Sequence, residues 1–183
     1  MKLLIMGPPG AGKGTQAKIL STKFNLVHLS TGDILRSEIK KGSPIGLEAQ
    51  LYMNAGNLVP DKVLLAMMET TLENFKDKGL ILDGFPRTIP QAEGLTSIFE
   101  SLNQKIDYVI NIYVNKDVLI NRLVERAEKS GRADDTKEVI VNRQKVYHKL
   151  TTPLIEYYKS EIINIDGGGS IEEVTPRILN IIK

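Results

Sequence analysis

Leu3-Leu4-Ile5-Met6 running into Gly7-Pro8-Pro9-Gly10-Ala11-Gly12-Lys13-Gly14-Thr15 decides the fold. Four consecutive aliphatic residues suit a strand covered on both faces, because a half-buried strand would alternate apolar with polar. After the glycines, Ala17, Leu20 and Phe24 recur at three and four, which marks one face of a helix. Glycines allow a loop to wrap with its N–H groups pointing inward, where they hold phosphate oxygens. The helix N-terminus that follows adds a positive dipole. Lys13 is placed to reach terminal phosphates, and the Thr15 hydroxyl to ligate magnesium. The loop departs from the strict Gly-x4-Gly-Lys-Ser/Thr pattern, since Gly14 stands between Lys13 and the hydroxyl. A glycine-rich turn after a strand also has a purely structural use, but strand, spacing, lysine and helix all agree on phosphate.

Outward from this stretch, short apolar runs alternate with longer periodic ones. Leu80–Leu82, Tyr108–Val114 and Ile162–Ile165 read as further buried strands, and Val27–Leu29 as a short fifth. Helical spacing recurs at Leu119, Leu123 and Ala127, and again at Val139, Arg143, Val146 and Leu150. The alternation predicts an α/β fold with a parallel sheet covered on both faces; with the glycine loop after the first strand, the expectation is a P-loop-type three-layer sandwich whose central parallel five-stranded sheet is flanked by helices. Residues 30–59 are polar and helical, broken at Gly42-Ser43-Pro44 and Ala55-Gly56, and are expected to stand off the sheet as an insert. Residues 129–136 read as a charged loop between two long helices, with Asp135 or Thr136 capping the second. One domain is expected over 1–183: a core of 1–29, 60–126 and 137–183, the insert 30–59, and a short lid at 127–136.

Composition removes several alternatives. With 183 residues the chain suits one globular domain. It has no Cys, so disulfides and Cys-ligated zinc are excluded, and two histidines are too few for a His-rich metal centre. A net charge of +2 argues against a dedicated nucleic-acid binder. The longest apolar run is the six residues Val63–Met68, too short to span a membrane, and the N-terminus carries no signal-peptide pattern. A soluble, cytoplasmic protein is expected. His28, His148, Met67 and Met68 read as structural.

Seven of the basic residues are arginines, whose planar fork suits phosphate better than an ammonium does. Leu80-Ile81-Leu82-Asp83 ends a strand on a carboxylate placed to organise a metal. The continuation Gly84-Phe85-Pro86-Arg87-Thr88 aims Arg87 over the carboxyl edge of the sheet, where α/β ligands bind. Ser30-Thr31-Gly32-Asp33 opens the insert as a helix cap, and Arg36 lies about one turn further on. Arg122 and Arg126 share a helix face; Arg132 in the loop and Arg143 on the next helix bring the set to four, with Asp134 and Asp135 beside them. Phosphoryl transfer asks for positioning and charge neutralisation rather than covalent work by the protein. Arg177 reads as ordinary surface on the last helix.

In family order and spacing, Gly7–Thr15, Ser30–Asp33 with Arg36, Asp83–Thr88 with Gln91, Arg122-x3-Arg126, Ser-Gly-Arg132-x-Asp-Asp and Arg143 resemble the adenylate kinases of the nucleoside-monophosphate kinase family over the whole chain. The resemblance implies magnesium-dependent transfer of the terminal phosphoryl group of ATP to AMP, giving two ADP. Gly10, Ala11, Gly12, Lys13, Gly14 and Thr15 would hold the ATP phosphates, with Mg2+ near Thr15 and Asp83, largely through water. Thr31, Arg36 and the backbone of Asn57, Leu58 and Val59 would take AMP, completed by Gly84, Phe85, Pro86, Arg87 and Gln91. Arg126 would stack or bond near ATP, while Arg122, Arg132 and Arg143 bridge the phosphates. The Asp166–Gly169 turn would meet the ATP adenine through its backbone, at Gly169. Lys13, Arg87 and the four arginines Arg122, Arg126, Arg132 and Arg143 form the expected catalytic set. Many bacterial relatives carry a longer lid, sometimes with zinc; this lid is of the short type, without zinc. Short lids also occur in UMP/CMP kinases, which leaves that activity as the alternative. Thr31, where those relatives tend to carry Ala, and Gln91, able to pair with adenine through donor and acceptor together, favour AMP. The family expectation is a monomer that binds small nucleotides and neither nucleic acid nor membrane.

Overall fold

The computed structural model describes residues 1–130 and 133–182. Strands β1 (Lys2–Met6), β2 (Val27–Ser30), β3 (Leu80–Asp83), β4 (Tyr108–Tyr113) and β5 (Ile162–Asp166) form a single sheet in the order β2-β3-β1-β4-β5. Each pairing is parallel. The apolar runs are continuous because both faces are covered, and alternate residues feed two cores. Leu4, Met6, Leu80 and Leu82 point into one; Leu3, Ile5, Ile81, Ile110 and Ile112 point into the other.

The first core is closed by α4 (Asp61–Asn74), α5 (Ile89–Ser101) and α8 (Pro153–Tyr157), through Met68, Leu72, Leu95, Phe99 and Leu154. The second is closed by α1 (Lys13–Phe24), α6 (Lys116–Ser130) and α9 (Ile171–Leu179), through Ala17, Leu20, Leu119, Val174 and Ile178. Fully buried side chains of this kind contribute about 1.5–3 kcal/mol each, so the two cores hold the sheet rigid beneath the site.

Connectivity places the crevice. The chain leaves β1 through α1 toward β2 on one side, and leaves β3 through α5 toward β4 on the other. Successive connections diverging from neighbouring strands open a gap at their carboxyl ends, where α/β proteins bind ligands. Ile5 pairs with Asp83, so the glycine loop and the Asp83 turn emerge side by side.

Helices α2 (Thr31–Lys41) and α3 (Pro44–Asn54) fill the region 30–59. Ser30 caps α2 by accepting from Asp33 N at 3.3 Å, and Ser43 caps α3 by accepting from Gly46 N at 3.1 Å. Within 129–136, expected as a loop, the described residues are partly helical. Helix α6 continues through Ser130 and a 3-10 turn covers Ala133–Asp135 before α7 (Lys137–Val146). Thr136, not Asp135, caps α7, accepting from Val139 N at 3.4 Å. Asp135 is turned inward instead, because two arginines claim its carboxylate. A π-helical turn, Tyr147–Thr151, joins α7 to α8.

Candidate active site

The glycine loop turns from β1 into α1 at Gly12, whose φ of +92° only glycine adopts without strain. Lys13 folds back over the loop, its Nζ donating to the carbonyls of Gly7 at 2.7 Å and Pro8 at 2.9 Å. Burial pushes the Lys13 ammonium down to about 8; Asp83 opposes the shift, while Arg87, Arg143 and Arg126 add to it. Thr15 is exposed. Gln144 of α7 donates to the Pro9 carbonyl at 3.1 Å, tying the loop to the opposite wall.

Asp83 ends β3 facing this loop. A Cβ on Gly14 would sit 3.4 Å from its Oδ2, so carboxylate and loop backbone share one pocket. Its own burial would raise the Asp83 pKa. The His28 hydrogen bond and the charges of Lys13 and Arg87 outweigh that and hold it below the ordinary value. His28 Nε2 lies 3.3 Å from Asp83 Oδ2 on the cleft wall. This histidine was expected in the structural scaffold, and β2 delivers it to the site only because it lies beside β3, with His28 opposite Ile81.

The turn after Asp83 is built around the Gly84 carbonyl. Thr31 Oγ1 donates to it at 2.8 Å and Arg87 Nε at 2.7 Å, so insert and sheet edge meet at one oxygen. Thr151 Oγ1 fixes the Arg87 carbonyl at 2.9 Å. Two expected acceptor-site residues are placed differently. The Phe85 side chain is 1% exposed and belongs to the core. Gln91 is fully buried, its Oε1 accepting from Arg87 N at 2.7 Å and its Nε2 donating to Asp61 Oδ1 at 2.7 Å. In this conformation Gln91 braces the Arg87 backbone and does not line the cleft.

The remaining arginines are gathered by carboxylates. Arg126 is bidentate to Asp135, Nε to Oδ2 at 2.8 Å and Nη2 to Oδ1 at 2.7 Å. Arg143 Nη1 donates to Asp134 Oδ2 at 2.9 Å and Asp135 Oδ1 at 2.8 Å. Burial lowers the Arg143 pKa to about 10, against the opposing pull of Asp134. Arg36, paired with Asp33 at 2.6 Å, reaches within 3.9 Å of Asp134. Asn142 Nδ2 donates to Ala55 O at 2.7 Å and Asn57 Oδ1 at 3.0 Å, so α7 also touches the 55–59 strip. Arg132 lies outside the described residues.

Arg122 and Arg126, expected to serve the phosphates and ATP respectively, take different partners here. Arg122 Nη2 binds the carbonyls of Gly167 at 3.0 Å and Gly169 at 2.9 Å, at the turn assigned to adenine, while Arg126 joins Arg143. One helical turn separates them, and α6 points the earlier one at the turn after β5 and the later one at Asp135. Arg177 is not idle surface either: its Nη1 donates to Asp166 O at 2.6 Å and Gly168 O at 2.8 Å.

Many of these groups line one cleft of about 910 Å³. The glycine loop, Thr31, Arg36, Asn57, Leu58, Val59, Asp83, Gly84, Pro86, Arg87, Arg122, Arg126, Arg143 and Gly169 are among its walls. At the upper end of ordinary ligand-pocket volumes, it has phosphate-binding chemistry at two points. A family model described as adenylate kinase matches residues 5–163. The chain belongs to the adenylate kinase family.

Relatives bear the same description over nearly their full length. An adenylate kinase from Leptospira biflexa is 48% identical, covering 99% of each chain. One from Corynebacterium glutamicum is 46% identical, covering 98% of this chain and 97% of its own, and one from Synechococcus sp. is 46% identical, at 99% and 98%. The adenylate kinase family is one of nucleoside-monophosphate phosphotransferases, and the five-stranded parallel sheet with its glycine loop is the fold it uses. Among the described residues no helix is long and apolar enough to cross a membrane.

Proposed function

We propose that this protein transfers the terminal phosphoryl group of ATP to AMP, forming two ADP, as a cytoplasmic monomer serving adenine nucleotide balance. The observation that carries this reading is one cleft lined together by the glycine loop, Arg36, Arg87, Arg126 and Arg143. The donor triphosphate would lie on Gly10–Thr15, with its adenine against the 166–169 turn and Arg122. The acceptor phosphate would meet Arg36 and Arg87, with its base toward Thr31 and the 57–59 strip. Relatives that are adenylate kinases over nearly their whole length favour AMP over UMP or CMP.

In transfer, the bond from the γ-phosphorus to the β,γ-bridging oxygen breaks and one forms to an AMP phosphate oxygen. That oxygen is already anionic, so no base is needed. Lys13, Arg126 and Arg143 would neutralise charge spread over the transferring group. Asp134 and Asp135 occupy those arginines in their absence from phosphate, which keeps the forks assembled. Thr15 and Asp83 are hard oxygen donors beside the loop, a set that suits Mg2+ bound mostly through water and phosphate; magnesium supplies further neutralisation of the phosphate charge. We take 30–59 as the acceptor insert and 127–136 as the lid, closing over both nucleotides to keep water from the reacting phosphate.

The test is ADP formation from MgATP with AMP, UMP, CMP or GMP offered separately. Rapid ADP formation from AMP alone is expected. Preference for UMP or CMP would overturn the acceptor assignment, and no transfer to any of them would overturn the catalytic account.

A further inference from the structure

The turn after β5 is held by two arginines in alternation. Arg122 takes the carbonyls of Gly167 and Gly169; Arg177 takes those of Asp166 and Gly168. The two differ in where they stand. Arg122 comes from α6 and is part of the cleft wall, within reach of a bound nucleotide. Arg177 comes from α9 and approaches the turn from behind, half-buried, with its Nη1 also 3.8 Å from Asp166 Oδ2. The Asp166 carboxylate in turn accepts from Gly168 N at 2.8 Å, so Arg177 and Asp166 close a small ring around the turn. Helix α9 is itself anchored to the glycine-loop helix, Thr175 Oγ1 donating to Gln16 Oε1 at 2.9 Å. Nothing in the phosphate chemistry of the site requires a cation at position 177.

The geometry points to Arg177 as a positioning residue that fixes the donor-base turn relative to the glycine loop. The inference rests on the reading of 166–169 as the donor-adenine site. When a nucleotide draws Arg122 toward itself, two of the four carbonyls lose their donor. Arg177 keeps the other two, so the turn presents the same edge to the base before and after binding. Preorganisation of this kind acts on affinity, because an unbraced turn must be ordered at the moment of binding. It acts on the donor alone, since Arg36, Arg87 and Thr31 stand on the other side of the cleft and make none of these contacts. Two hydrogen bonds in a half-exposed setting lead us to expect a fivefold to tenfold change, because water replaces part of what is lost.

The experiment uses the full chain with Arg177→Gln, Arg177→Lys and, as a control on the reading itself, Gly169→Val. At Gly169 φ is +100° and a side chain would run into the Glu173 carboxylate. Steady-state kinetics and calorimetric titration with MgATP and with AMP are measured for each, alongside thermal melts. Arg177→Gln should raise both KM and Kd for ATP about fivefold to tenfold, with KM for AMP and saturating kcat within about twofold. Arg177→Lys, which keeps a donor, should recover part of the loss. If Gly169→Val leaves ATP affinity intact, the donor-base reading falls and the inference with it. If Gly169→Val weakens ATP but Arg177→Gln does not, the inference alone is overturned. Equal weakening of ATP and AMP by Arg177→Gln, together with a lowered melting temperature, would show a merely structural role and also overturn it.

Discussion

Raising the pH from 7 to 9 should weaken the enzyme's capture of ATP while stabilising the unliganded fold, and one side chain is responsible for both. Lys13, pushed down to about 8 by burial beneath the glycine loop, is about 90% charged at pH 7 and about 10% charged at pH 9. If the ammonium is the cation that meets the terminal phosphates, kcat/KM for MgATP falls about tenfold over that interval, with the inflection of one proton. Bound polyphosphate favours the charged form, so kcat at saturating substrate should hold to a higher pH. Stability moves the other way. An unfolded lysine keeps its proton to 10.5, whereas the native one releases it near 8. Above 8 the unfolded state therefore binds more protons, and stability rises with pH. Between pH 7 and 9.5 the gain is about 2 kcal/mol, or roughly 4–8 °C for a domain of this size. ADP is quantified directly, without coupling enzymes, and melts are run without nucleotide. Lys13→Arg, which does not titrate, should flatten both profiles at a lower absolute rate. A wild-type kcat/KM that stays level to pH 9.5, or an inflection that survives in Lys13→Arg, would refute the assignment.

Two further perturbations probe the opposite wall and the lid. Arg87→Ala should raise KM for AMP about 10- to 100-fold through lost charge-assisted hydrogen bonds, and steady-state kinetics with each substrate varied in turn would expose the error if KM for ATP moved instead. Asp135→Asn replaces a carboxylate whose side chain is fully buried and which faces both Arg126 and Arg143. It should cost about 2–3 kcal/mol of stability, the partial exposure of Arg126 keeping it below the buried-pair range. Because phosphate can take the carboxylate's place between the two arginines, ADP should raise the melting temperature of this variant by more than it raises that of the wild type; an equal rise would argue that the carboxylate and the phosphate do not compete.

The site was legible wherever it depends on consecutive residues. The glycine loop is a local structure, with its strand, its turn and its helix all within residues 2–24, so spacing and conformational freedom were enough to read Lys13 and Thr15. Asp83–Arg87 and the capped start of α2 at Ser30-Thr31 were readable for the same reason. Gln91 and Phe85 were placed by resemblance, and neither faces the cleft here: one is drawn to Asp61, thirty residues away, and the other fills the core. Arg122 and Arg126 are neighbours on a helix face, and nothing in their spacing tells which one meets the turn after β5 and which one the lid carboxylates.

The sequence by itself determined that this protein is a parallel α/β domain with a phosphate loop and a small set of arginines suited to phosphate, because strand burial, helix period and loop glycines are properties of short segments. Tertiary structure alone decided which long-range partners those groups take. His28 meets Asp83 because β2 lies against β3, and Arg177 grips the turn after β5 because α9 packs back across α1. Contacts between segments far apart in the chain depend on how the two cores fold over the sheet, and no local pattern carries that geometry.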